Sequence, residues 1–150
     1  MNQTILTQTN FNKLREEVKK NKDKEIIFTS NNDELNRKVL EKLPIDILLI
    51  NLKERKDFQK QRNSGFNQVL AKEAKKNKIA IGINLDEIIE SSGKPKAEII
   101  ARIQQNIKLC NKYKVKMKFI TQKPKNSKDI YDLRALGLVL GMPTGTVKEL

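Results

Sequence analysis

The sequence predicts an α/β chain of alternating βα units with parallel strands, arranged as a partial or distorted TIM-like barrel. Three observations carry this reading. Short β-branched runs alternate with helical patterns along the whole length. Three of those runs are nearly continuous in apolar residues, as strands covered on both faces of a parallel sheet are. The 150 residues also fall well short of the roughly 250 that eight complete βα units require. Strict alternation calls for parallel strands joined by right-handed crossovers, all within a single domain, residues 1–150.

Each element has a local reason. The first strand is Thr4 to Thr7, and Asn10 caps a helix carrying Phe11, Leu14 and Val18. The second strand is Glu25 to Thr29 (EIIFT). Asn31 or Asn32 caps the next helix, with Leu35, Val39 and Leu40 on one face and Pro44 stopping it. Ile45 to Ile50 is the third strand, followed by a polar loop from Leu52 to Gln61. Asn63-Ser64-Gly65 opens a helix whose apolar face is Phe66, Val69, Leu70 and Ala74. Ile79 to Ile83 (IAIGI) is the fourth strand. A short acidic helix with Asp86, Glu87 and Glu90 and a Ser91–Lys94 loop come next. Pro95 then sits in the first turn of a long helix presenting Ile99, Ile100, Ile103, Ile107 and Cys110. Lys116 to Thr121 is the fifth strand, and Gln122 to Lys128 a loop. A helix from Asp129 to Leu140 ends at Gly141, and Thr144 caps a last short one.

Composition removes several chemistries. Histidine is absent, so a Ser-His-Asp triad, a Cys-His pair, a His-ligated metal and a histidine pH switch are impossible. The one cysteine, Cys110, excludes an internal disulfide and a cysteine-rich zinc site. No glycine-rich dinucleotide motif or GK[ST] phosphate loop is present. No apolar run approaches 18 residues, and the first ten residues lack the pattern of a signal peptide, so a cytoplasmic protein without membrane contact is expected.

Charge supplies the positive signal. A formal net charge of +13 and a pI near 9.8 suit a polyanionic partner. The excess is mostly lysine, since arginine occupies only six positions. Between Lys108 and Lys128 lie eight lysines and no acid. In the fifth strand Lys116 and Lys118 alternate with Met117 and Phe119, so Lys118 meets an acid, a phosphate or solvent. An alternative of a different class is a small α/β-barrel enzyme with Lys118 as nucleophile or phosphate clamp. The segment Leu52–Arg62 (LKERKDFQKQR) carries five positive and two negative charges around Phe58, at a strand C-terminus where α/β folds place binding loops. The Arg62–Gly65 segment after it, read as a helix start, suits an anion. Aromatic residues make up only 5% of the chain, so phosphate contacts and RNA shape are expected to outweigh base stacking.

Three stretches carry a family resemblance: DILLINLKERKDFQKQRNSGFNQVLAKEAKKNKIAIGINL (Asp46–Leu85), ARIQQNIKLCNKYKVKMKFITQ (Ala101–Gln122) and DLRALGLVLGM (Asp132–Met142). In order and spacing they resemble the archaeal ribonuclease P protein component 3 family, shared with a eukaryotic ribonuclease P subunit. The chain departs from that pattern in being shorter, without the first and last βα units. Gln122–Lys128 also stands where the family has a small, histidine-containing segment. The resemblance implies a protein subunit that is not catalytic alone. It would support RNA-catalysed leader removal from precursor tRNA by binding the ribonuclease P RNA and protein component 2. No cofactor is implied in the protein, and magnesium belongs to the RNA subunit. The residues expected to face RNA or partner are Arg55, Arg62, Asn63, Lys72, Arg102, Lys108, Lys118, Lys123 and Arg134. Arg62, Arg102 and Arg134 lead, because arginine is scarce and each lies within a familial motif. Arg134 has a structural alternative, pairing with Asp132 or a strand-end acid.

Overall fold

Five parallel strands form one sheet in the order β1-β2-β3-β4-β5, each strand laid beside its predecessor. The computed structural model describes residues 2–150, so Met1 of the expected domain lies outside the described residues. The strands are β1 (Gln3–Leu6), β2 (Glu25–Thr29), β3 (Ile47–Ile50), β4 (Ala80–Asn84) and β5 (Met117–Ile120). The helices are α1 (Phe11–Lys20), α2 (Asp33–Lys42), α3 (Gln68–Asn77), α4 (Leu85–Glu90), α5 (Gly93–Tyr113), α6 (Ile130–Leu140) and α7 (Thr144–Lys148), with a 3₁₀ turn at Pro124–Asn126.

This order never doubles back, which distinguishes a barrel-type winding from a doubly wound sheet. All the helices share one apolar cluster with alternate strand residues, among them Ile26, Phe28, Leu48, Ile50, Ile81 and Met117. The opposite strand face makes its own cluster of Ile27, Ile47, Leu49, Ala80 and Ile120, with Ile5 against it. Helices therefore cover the outer face only. The sheet stays open, because β1 and β5 each have a single neighbour. The arrangement is the partial TIM-like barrel that the βα alternation predicts.

Local chemistry accounts for the element ends. Asn10, Asn32, Asn67, Asn84 and Asp129 each cap a helix by accepting a backbone N–H with the side-chain oxygen. Thr144 is the first residue of α7 rather than its cap, a place taken by Pro143. Gly141 closes α6 in the left-handed region at φ 108°. Gly82 does something different. A Cβ there would come within 3.1 Å of Ile47 Cγ2 and 3.2 Å of Ile120 Cγ1, so its absence lets the inner layer of β3 and β5 meet across β4. Burying each such branched side chain contributes about 1.5–3 kcal/mol.

The C-terminal rim of the sheet is tied by side chains. Asn84 Nδ2 donates to Asn51 Oδ1 at 2.9 Å, and Asn51 Nδ2 to Thr29 Oγ1 at 2.9 Å. Thr29 Oγ1 donates in turn to the Leu49 carbonyl. The ladder joins the ends of β2, β3 and β4 and sets the base from which the β3–α3 loop departs.

Candidate nucleic-acid interface

The segment 51–67 between β3 and α3 is long for a βα connection. It is held from beneath. Arg102 of α5 is 2% exposed, and its guanidinium donates to the carbonyls of Leu52 (3.4 Å) and Arg55 (2.9 Å) and to Asp57 Oδ1 (3.1 Å). On the same face of α5, Gln105 donates to the Arg62 carbonyl and to Ser64 Oγ. Asn106 donates to the Ser64 carbonyl. These three residues have the i, i+3, i+4 spacing of one helical face.

Arg55 braces the loop from the other side. Its guanidinium makes a two-pronged ion pair with Asp33 of α2 at 2.8 and 3.0 Å, and its Nε donates to the Asn51 carbonyl at 2.7 Å. Asn63 Oδ1 accepts from Arg55 and from the Gly65 N–H. Gly65 is required here: its φ is +67°, and a Cβ would lie 2.5 Å from Arg55 Nη2. Asp57 also accepts the Asn63 N–H. That bond, followed by the Arg102 contact, holds its carboxyl below the ordinary value.

Above this scaffold lies an open groove of about 1190 Å³, walled by the loop, the start of α2 and α3, and the outer side of α5. Its acids and cations divide unevenly. Asp33 and Asp57 are engaged by Arg55 and Arg102, and Arg37 by Glu41, while Glu34 is the one lining acid without an ion-pair partner among the described residues. Lys60, Arg62, Lys108 and Lys112 line the groove, are exposed, and have no ion-pair partner among the described residues. Among the described residues, four free cations against the single free acid Glu34 leave the groove with a net positive charge on a braced surface, the electrostatic form that favours a polyanion.

The nine residues expected at the interface separate into groups. Arg62, Asn63 and Lys108 line the groove. Arg55 and Arg102 lie beneath it, and the expectation that Arg102 faces RNA is corrected: an enclosed guanidinium bonded to two loop carbonyls cannot reach a phosphate. Lys72 is on the exposed side of α3, 5.8 Å from the Tyr113 ring centroid. Lys118 is half-buried on the inner face of β5, in register with Gly82 and without a hydrogen-bond or ion-pair partner among the described residues. Arg134 donates to the Lys148 carbonyl at 3.4 Å, tying α6 to α7 in place of the pairing with Asp132. The helix start read at Arg62–Gly65 is also corrected, since α3 begins at Gln68 behind its Asn67 cap. The structure also brings to the groove and the scaffold beneath it Asp33, Asp57, Gln105, Asn106, Lys60 and Lys112, none of which the sequence assigns to the interface.

Lys123 belongs to a second cluster, around α4. Asp86 accepts from Thr121 Oγ1, the Gln122 N–H and Asn126 Nδ2. Glu90 accepts from Lys123 and Asn126, and Glu87 from the N–H groups of Leu52 and Lys53. Partial burial pushes Asp86 upward, but its hydrogen bonds outweigh that and leave it below the ordinary value. The Lys123 bond lowers Glu90, and the same contact raises Lys123. Each carboxylate of α4 thus fastens a loop that follows β3 or β5. Among the described residues no group of three or more Asp, Glu, Cys or His is placed to hold a metal ion. No helix among them is long and apolar enough to cross a membrane.

Comparison with known proteins adds family context. The profile of a family described as RNase P subunit p30 matches residues 5–150. Ribonuclease P protein component 3 of Methanosarcina mazei is 33% identical over 110 residues, 73% of this chain and 41% of that protein. Its namesake in Methanococcus maripaludis is 28% identical over 138 residues, 91% of this chain and 55% of that protein. The chain thus spans about half the length of the curated relatives it matches. A chain from a cryo-EM structure of archaeal ribonuclease P with mature tRNA superposes with a TM-score of 0.77 at 25% identity. The match covers 98% of this chain and 64% of that one.

Proposed function

The chain belongs to the RNase P subunit p30 family, and from that premise we propose that it is a protein subunit of ribonuclease P, binding the RNA subunit through the groove beside the β3–α3 loop. The observation that supports this best is the set of four cations without an ion-pair partner among the described residues, Lys60 and Arg62 on the loop braced by Arg55 and Arg102, and Lys108 and Lys112 on α5 beside it. Preorganised cations neutralise phosphate without the cost of ordering the loop on binding. In this reading the subunit works in the cytoplasm. It does not cleave precursor tRNA alone, and magnesium is held by the RNA. It also pairs with protein component 2, which covers part of the surface left by the open sheet.

The test is binding of ribonuclease P RNA across a salt series. Charge reversal at Arg62 or Lys108 lowers affinity and flattens the dependence of log K on log salt, by roughly 0.7–0.9 for each phosphate contact removed. Reversal at Lys19 or Lys20, on the exposed side of α1, leaves both nearly unchanged. Equal losses at all four positions would reduce the chain to a nonspecific polycation. For the protein partner, a melting temperature indifferent to component 2 would remove that part of the reading.

A further inference from the structure

Phe58 is 63% exposed, and the loop sequence alone does not explain why an aromatic ring stands there. The ring is at one end of a tight turn closed by reciprocal backbone bonds, Phe58 N–H to the Gln61 carbonyl at 2.8 Å and Gln61 N–H to the Phe58 carbonyl at 3.4 Å. The preceding residue, Asp57, is fixed by Arg102 and by the Asn63 N–H. The ring therefore projects from a backbone that is already ordered.

Its surroundings decide what it fits. A protein-docking aromatic sits at the centre of an apolar patch, with charge confined to the rim. Phe58 has the reverse setting: its loop neighbours are polar and exposed, with Lys56, Lys60 and Arg62 among them and the one acid, Asp57, paired with Arg102, and the one other well-exposed large apolar side chain of the groove is Val69. The groove acids nearest the loop are engaged by Arg55 and Arg102, which leaves the cations free to take up external negative charge. An aromatic face beside a track of unpaired cations is the pattern for a stacked base with its flanking phosphates.

We propose that Phe58 is a stacking platform for an unpaired RNA base, with Lys60, Arg62, Lys108 and Lys112 receiving the adjoining phosphates along the groove. This rests on the RNA-binding reading above and adds to it the kind of RNA, a single-stranded segment, because the faces of bases in a duplex are closed to a side chain. It also revises the expectation drawn from the low aromatic content. One ring is enough when it is fixed and exposed.

The chain has no tryptophan, so Phe58→Trp introduces a single indole at the proposed contact, excited at the red edge where Tyr113 and Tyr131 do not absorb. The variant of the whole 150-residue chain is titrated with an unstructured single-stranded RNA oligomer and with a duplex of the same length. Single strands quench the emission and duplex leaves it unchanged. Phe58→Ala weakens single-strand binding by about 5- to 150-fold, the range expected for loss of one stacked base, without altering the salt slope. Lys60→Glu instead flattens that slope. Since Phe58 is exposed, each variant keeps the circular dichroism and melting profile of the parent. Parent-like affinity in Phe58→Ala, or no quenching of Phe58→Trp by single strands, overturns the proposal. So does a Phe58→Trp emission change produced by purified component 2 but not by RNA, which would make the ring a protein contact. If Arg62→Glu weakens RNA binding while Phe58→Ala does not, only the stacking role falls. If the parent binds neither RNA, the RNA-binding reading falls with it.

Discussion

The Arg102 guanidinium lies 3.1 Å from the Asp57 carboxylate, and this ion pair joins a buried residue of the long helix α5 to the exposed loop after β3. The same guanidinium holds two backbone carbonyls of the loop, and with Arg55, Gln105 and Asn106 it sets where the loop wall of the groove stands. Positive charge around the groove thus has two separate uses: Arg55 and Arg102 shape the loop, and the exposed cations of the loop and of α5 face the groove.

Replacement of Arg102 tests that separation. Arg102→Met keeps much of the packing but leaves the Leu52 and Arg55 carbonyls without their donor. The expected loss is about 2–4 kcal/mol of stability, measured by urea unfolding. Arg62→Glu leaves the unfolding curve where it was and changes only RNA binding. A parent-like urea midpoint for Arg102→Met would show that the loop does not depend on this anchor.

Gly65→Ala and Gly93→Ala form a matched pair. Both glycines have positive φ, +67° and +60°, but a Cβ at Gly93 meets open space while one at Gly65 strikes the Arg55 guanidinium. Gly93→Ala is expected to cost about 1–2 kcal/mol from backbone strain alone. Gly65→Ala costs that and the displaced Arg55–Asp33 pair, so its melting temperature falls further. Equal shifts would mean that Arg55 rearranges freely.

Acid should destabilise the fold through Asp57, Asp86 and Glu90. Their folded values lie below the ordinary 3.8, 3.8 and 4.5, so the unfolded chain binds protons more readily. The stability they contribute is complete above those ordinary values and is lost as pH falls through the folded ones. Lys123 acts at the other end: raised above 10.5 by Glu90, it contributes below that pH and loses the contribution as pH rises through its folded value. Asp86→Asn should flatten the acid limb of a stability–pH curve, and an unchanged limb would count against the α4 clamp.

Cys110 reports on α5. Burial pushes its thiol up to about 12, so thiolate is scarce and shielded at neutral pH. Alkylation by iodoacetamide should be negligible in the native chain and rapid in denaturant. Fast native labelling would show that α5 leaves the core.

The succession of strands and helices is legible along the chain because it rests on neighbours a few residues apart. Asn10, Asn32 and Asp129 cap helices from their own side chains, and alternation in β5 places Met117 on the helix-covered face and Lys118 opposite. Absent histidine and excess lysine likewise exclude chemistries and favour a polyanion without reference to any fold. The roles of the arginines are not legible in that way. A buried and an exposed arginine are the same letter, and the difference here depends on partners distant in sequence, 22 residues for Arg55 with Asp33 and 45 for Arg102 with Asp57. The one local hint was polar spacing, Arg102, Gln105 and Asn106 set among Ile99, Ile103 and Ile107 on the buried side of a helix. The exposure of Phe58 and the freedom of Lys60, Arg62, Lys108 and Lys112 follow only once the chain has folded, because folding assigns the nearby acids Asp33 and Asp57 to other cations.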